Sequence, residues 1–104
     1  QFFSNQVIEE FTKCHFCDQE NRRGIGFDKP ALKDQEGGPT CKCVSGESFG
    51  HTGFTGTLAW ADPDTDIIYI FLSNRIHPDA SNKKLLDMDV RTNIMEQIFM
   101  YNER

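Results

Sequence analysis

Phe3, Val7 and Phe11 recur four residues apart and Ile8 widens the stripe, so a helix over about residues 5–12 would present one apolar face. Ser4 stands where a side-chain oxygen can cap that helix. Gly24-Ile25-Gly26-Phe27 alternates glycine with apolar residues, which predicts a short strand approached closely by other backbone. From Lys29 to Ser48 no periodicity survives. Pro30, Gly37, Gly38, Pro39 and Gly46 among polar residues mark a long loop or insertion over about 29–48. Gly53–Ala61 and Asp66–Ser73 then predict an antiparallel hairpin joined by Asp62-Pro63-Asp64-Thr65, in which Pro63 suits the second position of a type I turn. Leu58 and Trp60 share one face of the hairpin, which assigns Trp60 to the core. The run Ile67 to Leu72 is apolar without alternation, as in a central strand covered on both faces. Beyond Pro78, Leu86, Val90, Ile94 and Ile98 repeat every four residues beside Met95 and Phe99, predicting a long amphipathic helix over about 82–101 that covers one face of the sheet.

These elements add up to an α+β domain: an antiparallel sheet of about three strands, a long C-terminal helix and a short N-terminal helix. Composition changes the picture little. With 38% hydrophobic residues, twelve aromatics and 26% charged residues, the chain is expected to fold. Sixteen acidic against eleven basic residues give a net charge of −5. The basic residues form no stripe, so nucleic acid is not an expected partner. The longest apolar run is far below the roughly 20 residues of a membrane span. The apolar opening Phe2-Phe3, with no initiator Met, reads as a boundary inside a larger protein.

Four cysteines fall as two pairs, Cys14 with Cys17 and Cys41 with Cys43. Three readings stay open: free thiols, a disulfide between the two segments, or a zinc site formed by all four, with His15 able to replace one ligand. The last two require the segments to lie close together.

The densest stretch is Ser48-Phe49-Gly50-His51-Thr52-Gly53-Phe54-Thr55-Gly56-Thr57, which runs into Leu58-Ala59-Trp60-Ala61-Asp62-Pro63 and on to Leu72-Ser73-Asn74-Arg75. It resembles the third conserved box of the serine β-lactamase and penicillin-binding-protein superfamily, usually Lys-Thr-Gly, in the His-Thr-Gly form found in class C β-lactamase-related esterases. The resemblance extends from about Gly24 to Ile98 and implies a fragment of the β-lactamase-like fold, residues 1–104 being the C-terminal piece of a hydrolase domain. It implies that His51 stands where the family's Lys offers its head near the nucleophile, that Thr52 presents its hydroxyl to substrate, and that Gly53 leaves room for substrate along the strand. The N–H of Phe54 would be one of two oxyanion-hole donors. An imidazole holds a substrate carboxylate less firmly than an ammonium does, which shifts the expectation from β-lactams toward esters and amides.

The family's other boxes are expected outside this chain. The one Ser-x-x-Lys string, Ser81-Asn82-Lys83-Lys84, follows the box instead of preceding it, and neither Tyr69-Ile70-Phe71 nor Tyr101-Asn102-Glu103 makes a Tyr-x-Asn. The isolated chain is therefore expected to be inactive. Its partners would be the missing N-terminal part of its own domain and, in the parent, a small acyl substrate. A sheet edge left open could pair two copies. The resemblance also implies an extracytoplasmic location, and no cofactor is expected unless the cysteines hold zinc. The alternatives are a small cysteine-rich zinc module and a module that binds peptide at the sheet edge near Thr52.

Overall fold

The computed structural model describes residues 2–102. Helix α1 spans Asn5–Thr12, and the Ser4 hydroxyl accepts a hydrogen bond from the Val7 N–H at 3.2 Å, so the cap acts as the pattern predicts. The apolar stripe of α1 is left open. Phe3, Val7, Ile8 and Phe11 are all exposed, and together with Phe27 and Phe49 they line a wholly apolar groove of about 450 Å³.

The sheet has the order β1-β2-β3, with β1 Phe49–Thr52, β2 Leu58–Asp62 and β3 Ile67–Phe71, all antiparallel. The hairpin forms where expected: Thr65 N–H donates to the Asp62 carbonyl at 3.3 Å across the Pro63 turn. Its strands are shorter than the apolar pattern suggests, because residues 53–57 are spent on a turn between β1 and β2. The long loop carries no strand, and its end is tied down by Asp62. That buried carboxylate accepts from the Ser45 N–H at 2.8 Å and the Ser45 hydroxyl at 2.6 Å, and it also receives the Asp64 N–H of its own turn at 3.0 Å.

Alternation along the strands sorts the side chains. Leu58, Trp60 and Tyr69 point to one face and pack on Met95 and Phe99 of the C-terminal helix, with Ile67, Phe71, Cys41, Cys43 and Val44 around them. The Tyr69 hydroxyl donates to the Arg91 carbonyl at 3.1 Å, fastening sheet to helix. The opposite face is bare: Ile68, Ile70 and Leu72 are 74%, 61% and 78% exposed. The expectation of a strand covered on both faces is thus corrected, since one layer only is present to cover it.

Three further expectations are revised. Gly24–Phe27 is not a strand; the Gly24 N–H closes a turn on the Phe27 carbonyl at 3.0 Å, and Gly26 takes φ +78°, which an extended strand forbids. The pairing shifts one residue on, to an isolated bridge between Asp28 and Gly50. The helix over 82–101 is broken into α2, Lys84–Asp87, and α3, Val90–Asn102. Asp89 sits between them at φ +49°, a conformation that short polar side chains tolerate and a continuing helix does not. The buried positions of α3 are Met95 and Phe99, whereas Ile94 and Ile98 of the predicted stripe are about two-fifths exposed.

Asp28 anchors the segment before the loop. Burial alone would raise its pKa. The Arg22 hydrogen bonds (2.8 Å and 3.1 Å), the Lys29 N–H at 2.9 Å and the charges of Arg22 and Arg23 outweigh burial and hold the carboxyl below its ordinary value.

Two outcomes test this packing. In urea unfolding, Met95→Ala should cost about 2–5 kcal/mol, and Ile94→Ala less than about 1 kcal/mol; equal costs would place the wrong face of α3 on the sheet. A carboxyl depressed in the folded state adds stability above its unfolded pKa, about 3.9, and loses it as pH falls through the lower folded value. The stability gap between the wild type and Asp28→Asn should therefore narrow as pH drops below about 4, and a gap that widened on acidification would contradict the Arg22 pairing.

Candidate active site

The His-Thr-Gly box lies at the exit of β1. His51 and Thr52 are its last two residues, opposite Ala59 and Leu58 of β2. The hairpin's first strand, expected from Gly53, begins at Leu58, so a turn separates it from the box. The Gly53 N–H donates to the Thr57 carbonyl at 2.8 Å, and the Gly56 N–H to the Gly53 carbonyl at 3.0 Å. A Cβ at Gly53 would stand 2.1 Å from the Thr57 hydroxyl oxygen, so a larger residue there would have to displace the Thr57 side chain.

Thr52 is half-buried, and its hydroxyl makes no hydrogen bond among the described residues. Phe54 is 73% exposed at the tip of the turn, and its N–H finds no acceptor among the described residues. The strand exit is thus open to a ligand and offers a free hydroxyl and a free backbone donor.

Three arginines that the motif does not include hold this corner. The Arg75 N–H donates to the Thr55 carbonyl at 2.9 Å, and the Arg75 guanidinium lies 4.9 Å over the Phe54 ring. The Ser73 hydroxyl donates to the same carbonyl at 3.2 Å. From α3, Arg91 Nη1 donates to the carbonyls of Gly56 and Thr57, each at 3.3 Å. On the other side Arg23 Nη1 donates to Nε2 of His51 at 3.0 Å, and Nδ1 of His51 lies 2.6 Å from the Thr52 carbonyl. The only local signal for Arg23 is its place in Arg22-Arg23 before Gly24, and nothing in the spacing ties it to position 51.

Ser81 sits in a turn before α2, its hydroxyl donating to Asp79 Oδ1 at 2.7 Å, and Lys84 is the first residue of that short helix. A serine and lysine paired on successive turns of one helix are not what this string makes. The cysteine expectations are corrected too: Cys14 pairs with Cys17 and Cys41 with Cys43, at Cα separations of 5.7 Å and 5.3 Å, within ordinary disulfide reach. Each pair closes inside its own segment, with Cys41 and Cys43 drawn against the core. No bridge joins the segments, and among the described residues there is neither a free thiol nor a group of three His, Cys, Asp or Glu able to hold a metal. The zinc alternative loses its ligands. No helix among the described residues is long and apolar enough to cross a membrane.

The chain is 29% identical over 86 residues to a putative D-alanyl-D-alanine carboxypeptidase of Salmonella typhi, an overlap covering 82% of this chain and 19% of that protein. Proteins of the same description from Salmonella paratyphi B and Salmonella newport are 40% identical over 42 residues, 40% of this chain and 10% of theirs. The chain thus spans about one-fifth or less of the length of these relatives. No solved structure matches it. The Beta-lactamase family model matches residues 18–91, a stretch that holds the whole sheet, the box and the turn behind it, and the chain accordingly belongs to the Beta-lactamase family.

Proposed function

We propose that this chain is the C-terminal part of a serine hydrolase domain and supplies one wall of its active site, residues His51–Phe54. The observation that carries the reading is the open exit of β1, where the Thr52 hydroxyl and the Phe54 N–H have no partners among the described residues. In this reading a serine from the N-terminal part attacks an acyl carbonyl and gives its proton to a neighbouring base, and the carbonyl oxygen, now negative, receives the Phe54 N–H. The leaving group departs, and water hydrolyses the acyl-serine. Thr52 orients the substrate, which lies along the strand exit beside His51.

The substrate is an acyl compound: a β-lactam, an ester, or a peptide of the kind named for the Salmonella carboxypeptidases. In the intact parent, the bare face of Ile68, Ile70 and Leu72 and the unpaired edge of β3 are met by the N-terminal part. The two disulfides fit an extracytoplasmic location.

Two measurements test the proposal. The isolated chain should hydrolyse neither a chromogenic β-lactam nor a short-chain aryl ester; turnover that disappears in Ser81→Ala would move the nucleophile into this chain and overturn the reading. In the intact parent, Thr52→Val should lower kcat/KM by about tenfold or more, the scale of one lost substrate hydrogen bond, and shift Tm by no more than a few degrees. A variant that unfolds, or one that keeps full kcat/KM, would remove Thr52 from the site.

A further inference from the structure

The sequence places His51 in the His-Thr-Gly string alone, and the structure embeds it in a chain of contacts that begins at a buried carboxylate. Asp28 is 3% exposed and is fixed to β1 by two backbone hydrogen bonds with Gly50, Asp28 N–H to the Gly50 carbonyl at 2.7 Å and Gly50 N–H to the Asp28 carbonyl at 3.2 Å. Its side chain takes both Arg22 bonds, and Arg23 Nε lies 3.6 Å from Oδ1. That contact stations the Arg23 guanidinium beside β1, where Nη1 reaches Nε2 of His51 at 3.0 Å. A guanidinium has donors only, so Nε2 must be the accepting, unprotonated nitrogen. The ring proton is then on Nδ1, and the acceptor waiting there, at 2.6 Å, is the Thr52 carbonyl. The two contacts require the same tautomer, since a proton on Nε2 would set an N–H against the guanidinium and leave the Thr52 carbonyl without its donor.

We propose that Arg23, stationed by Asp28, is a positioning residue that selects the Nδ1–H tautomer of His51 and aims the ring along the exit of β1. The inference rests on the reading of residues 51–54 as the box and adds to it the chemical state of the first of them. The fixed positive charge at this corner belongs to the guanidinium, while the imidazole acts as a rigid bridge between that charge and the box backbone. Through Nδ1–H it also holds the direction of the Thr52 carbonyl, hence the plane of the Thr52–Gly53 peptide.

Long-range proton–nitrogen NMR on the imidazole of the full 104-residue chain tests this without any turnover. The spectrum is taken at a pH of about 8.5, well above the ordinary histidine range, and His51 is assigned through His51→Gln. The wild type should show His51 mainly as Nδ1–H. In Arg23→Ala the ratio of Nδ1–H to Nε2–H should fall about tenfold or more, the scale of one hydrogen bond to a charged group. Arg23→Lys, which keeps a donor and a charge, should restore part of it. Trp60 fluorescence checks that each variant keeps the core. A wild-type His51 found as Nε2–H, or a ratio that Arg23→Ala leaves unchanged in a folded chain, overturns the proposal, and either result would leave the roles of Thr52 and Phe54 untouched.

Discussion

Packing of Leu58, Trp60 and Tyr69 onto Met95 and Phe99 is the contact on which the other elements depend. A strand turns alternate side chains to opposite faces, so committing Trp60 and Tyr69 to the helix commits Ile68 and Ile70 to the other side. The same alternation puts His51 on the bare face with Ala59 and Ile70, and Thr52 on the helix face beside Leu58. The box therefore inherits its geometry from the core: its histidine faces the side with no layer, and its threonine rests half-buried against the packed side.

The turn behind the box is held by its carbonyls. Arg75, Ser73 and Arg91 take the carbonyls of Thr55, Gly56 and Thr57, and Thr57 in turn accepts the Gly53 N–H. Binding the acceptors in this way rigidifies a loop without consuming its outward donor, the Phe54 N–H. Under the proposed reading, a backbone donor held in this way needs no rearrangement to meet a developing negative charge, the condition under which such donors contribute most. Arginine suits this work because one planar head can serve two carbonyls or lie flat on a ring while keeping its charge.

Local signals were enough for several of these elements and failed for others in ways that share a cause. The Ser4 cap, the Pro63 turn and the burial of Trp60 each depend on residues within a few positions of one another. The break at Met88-Asp89 does not, because the four-residue repeat of Leu86, Val90, Ile94 and Ile98 runs through it unbroken. That repeat marks an apolar stripe, but which stripe meets the sheet is decided by where α3 starts and by the Tyr69–Arg91 hydrogen bond. Glycines at 24 and 26 suggested a strand because alternation with apolar residues is shared by strands and by turns that press on a helix end. Of the site, His51, Thr52, Gly53 and Phe54 were legible as a string. Arg75 was legible only as the end of the Leu72–Arg75 string, and Arg23 and Arg91 were not, since their contacts span 28 residues to His51 in one direction and 35 to Gly56 in the other.

An apolar set on the outer sheet face, Ile68, Ile70 and Leu72, and another along α1 are costly for a chain to leave in water, as each large side chain is worth roughly 1.5–3 kcal/mol when fully buried. A radius of gyration of 14.4 Å, against about 13 Å for a compact domain of this size, agrees with elements that have not closed on one another. The bare groups are also patterned: they alternate from Ile68 to Leu72, recur at helical spacing on α1, and are linked by Phe49, which lines both the α1 groove and a hollow beside Ile68. Scattered exposed hydrophobics do not produce such order, and under the proposed reading this face is the boundary on which another layer of the domain sits. The box lies on the margin of this boundary, with His51 on the bare side. A second layer laid on that face would turn an open strand exit into a cleft with two walls, which connects the family membership, the small share of the relatives' length that the chain covers, and the position of His51 in a single geometric argument.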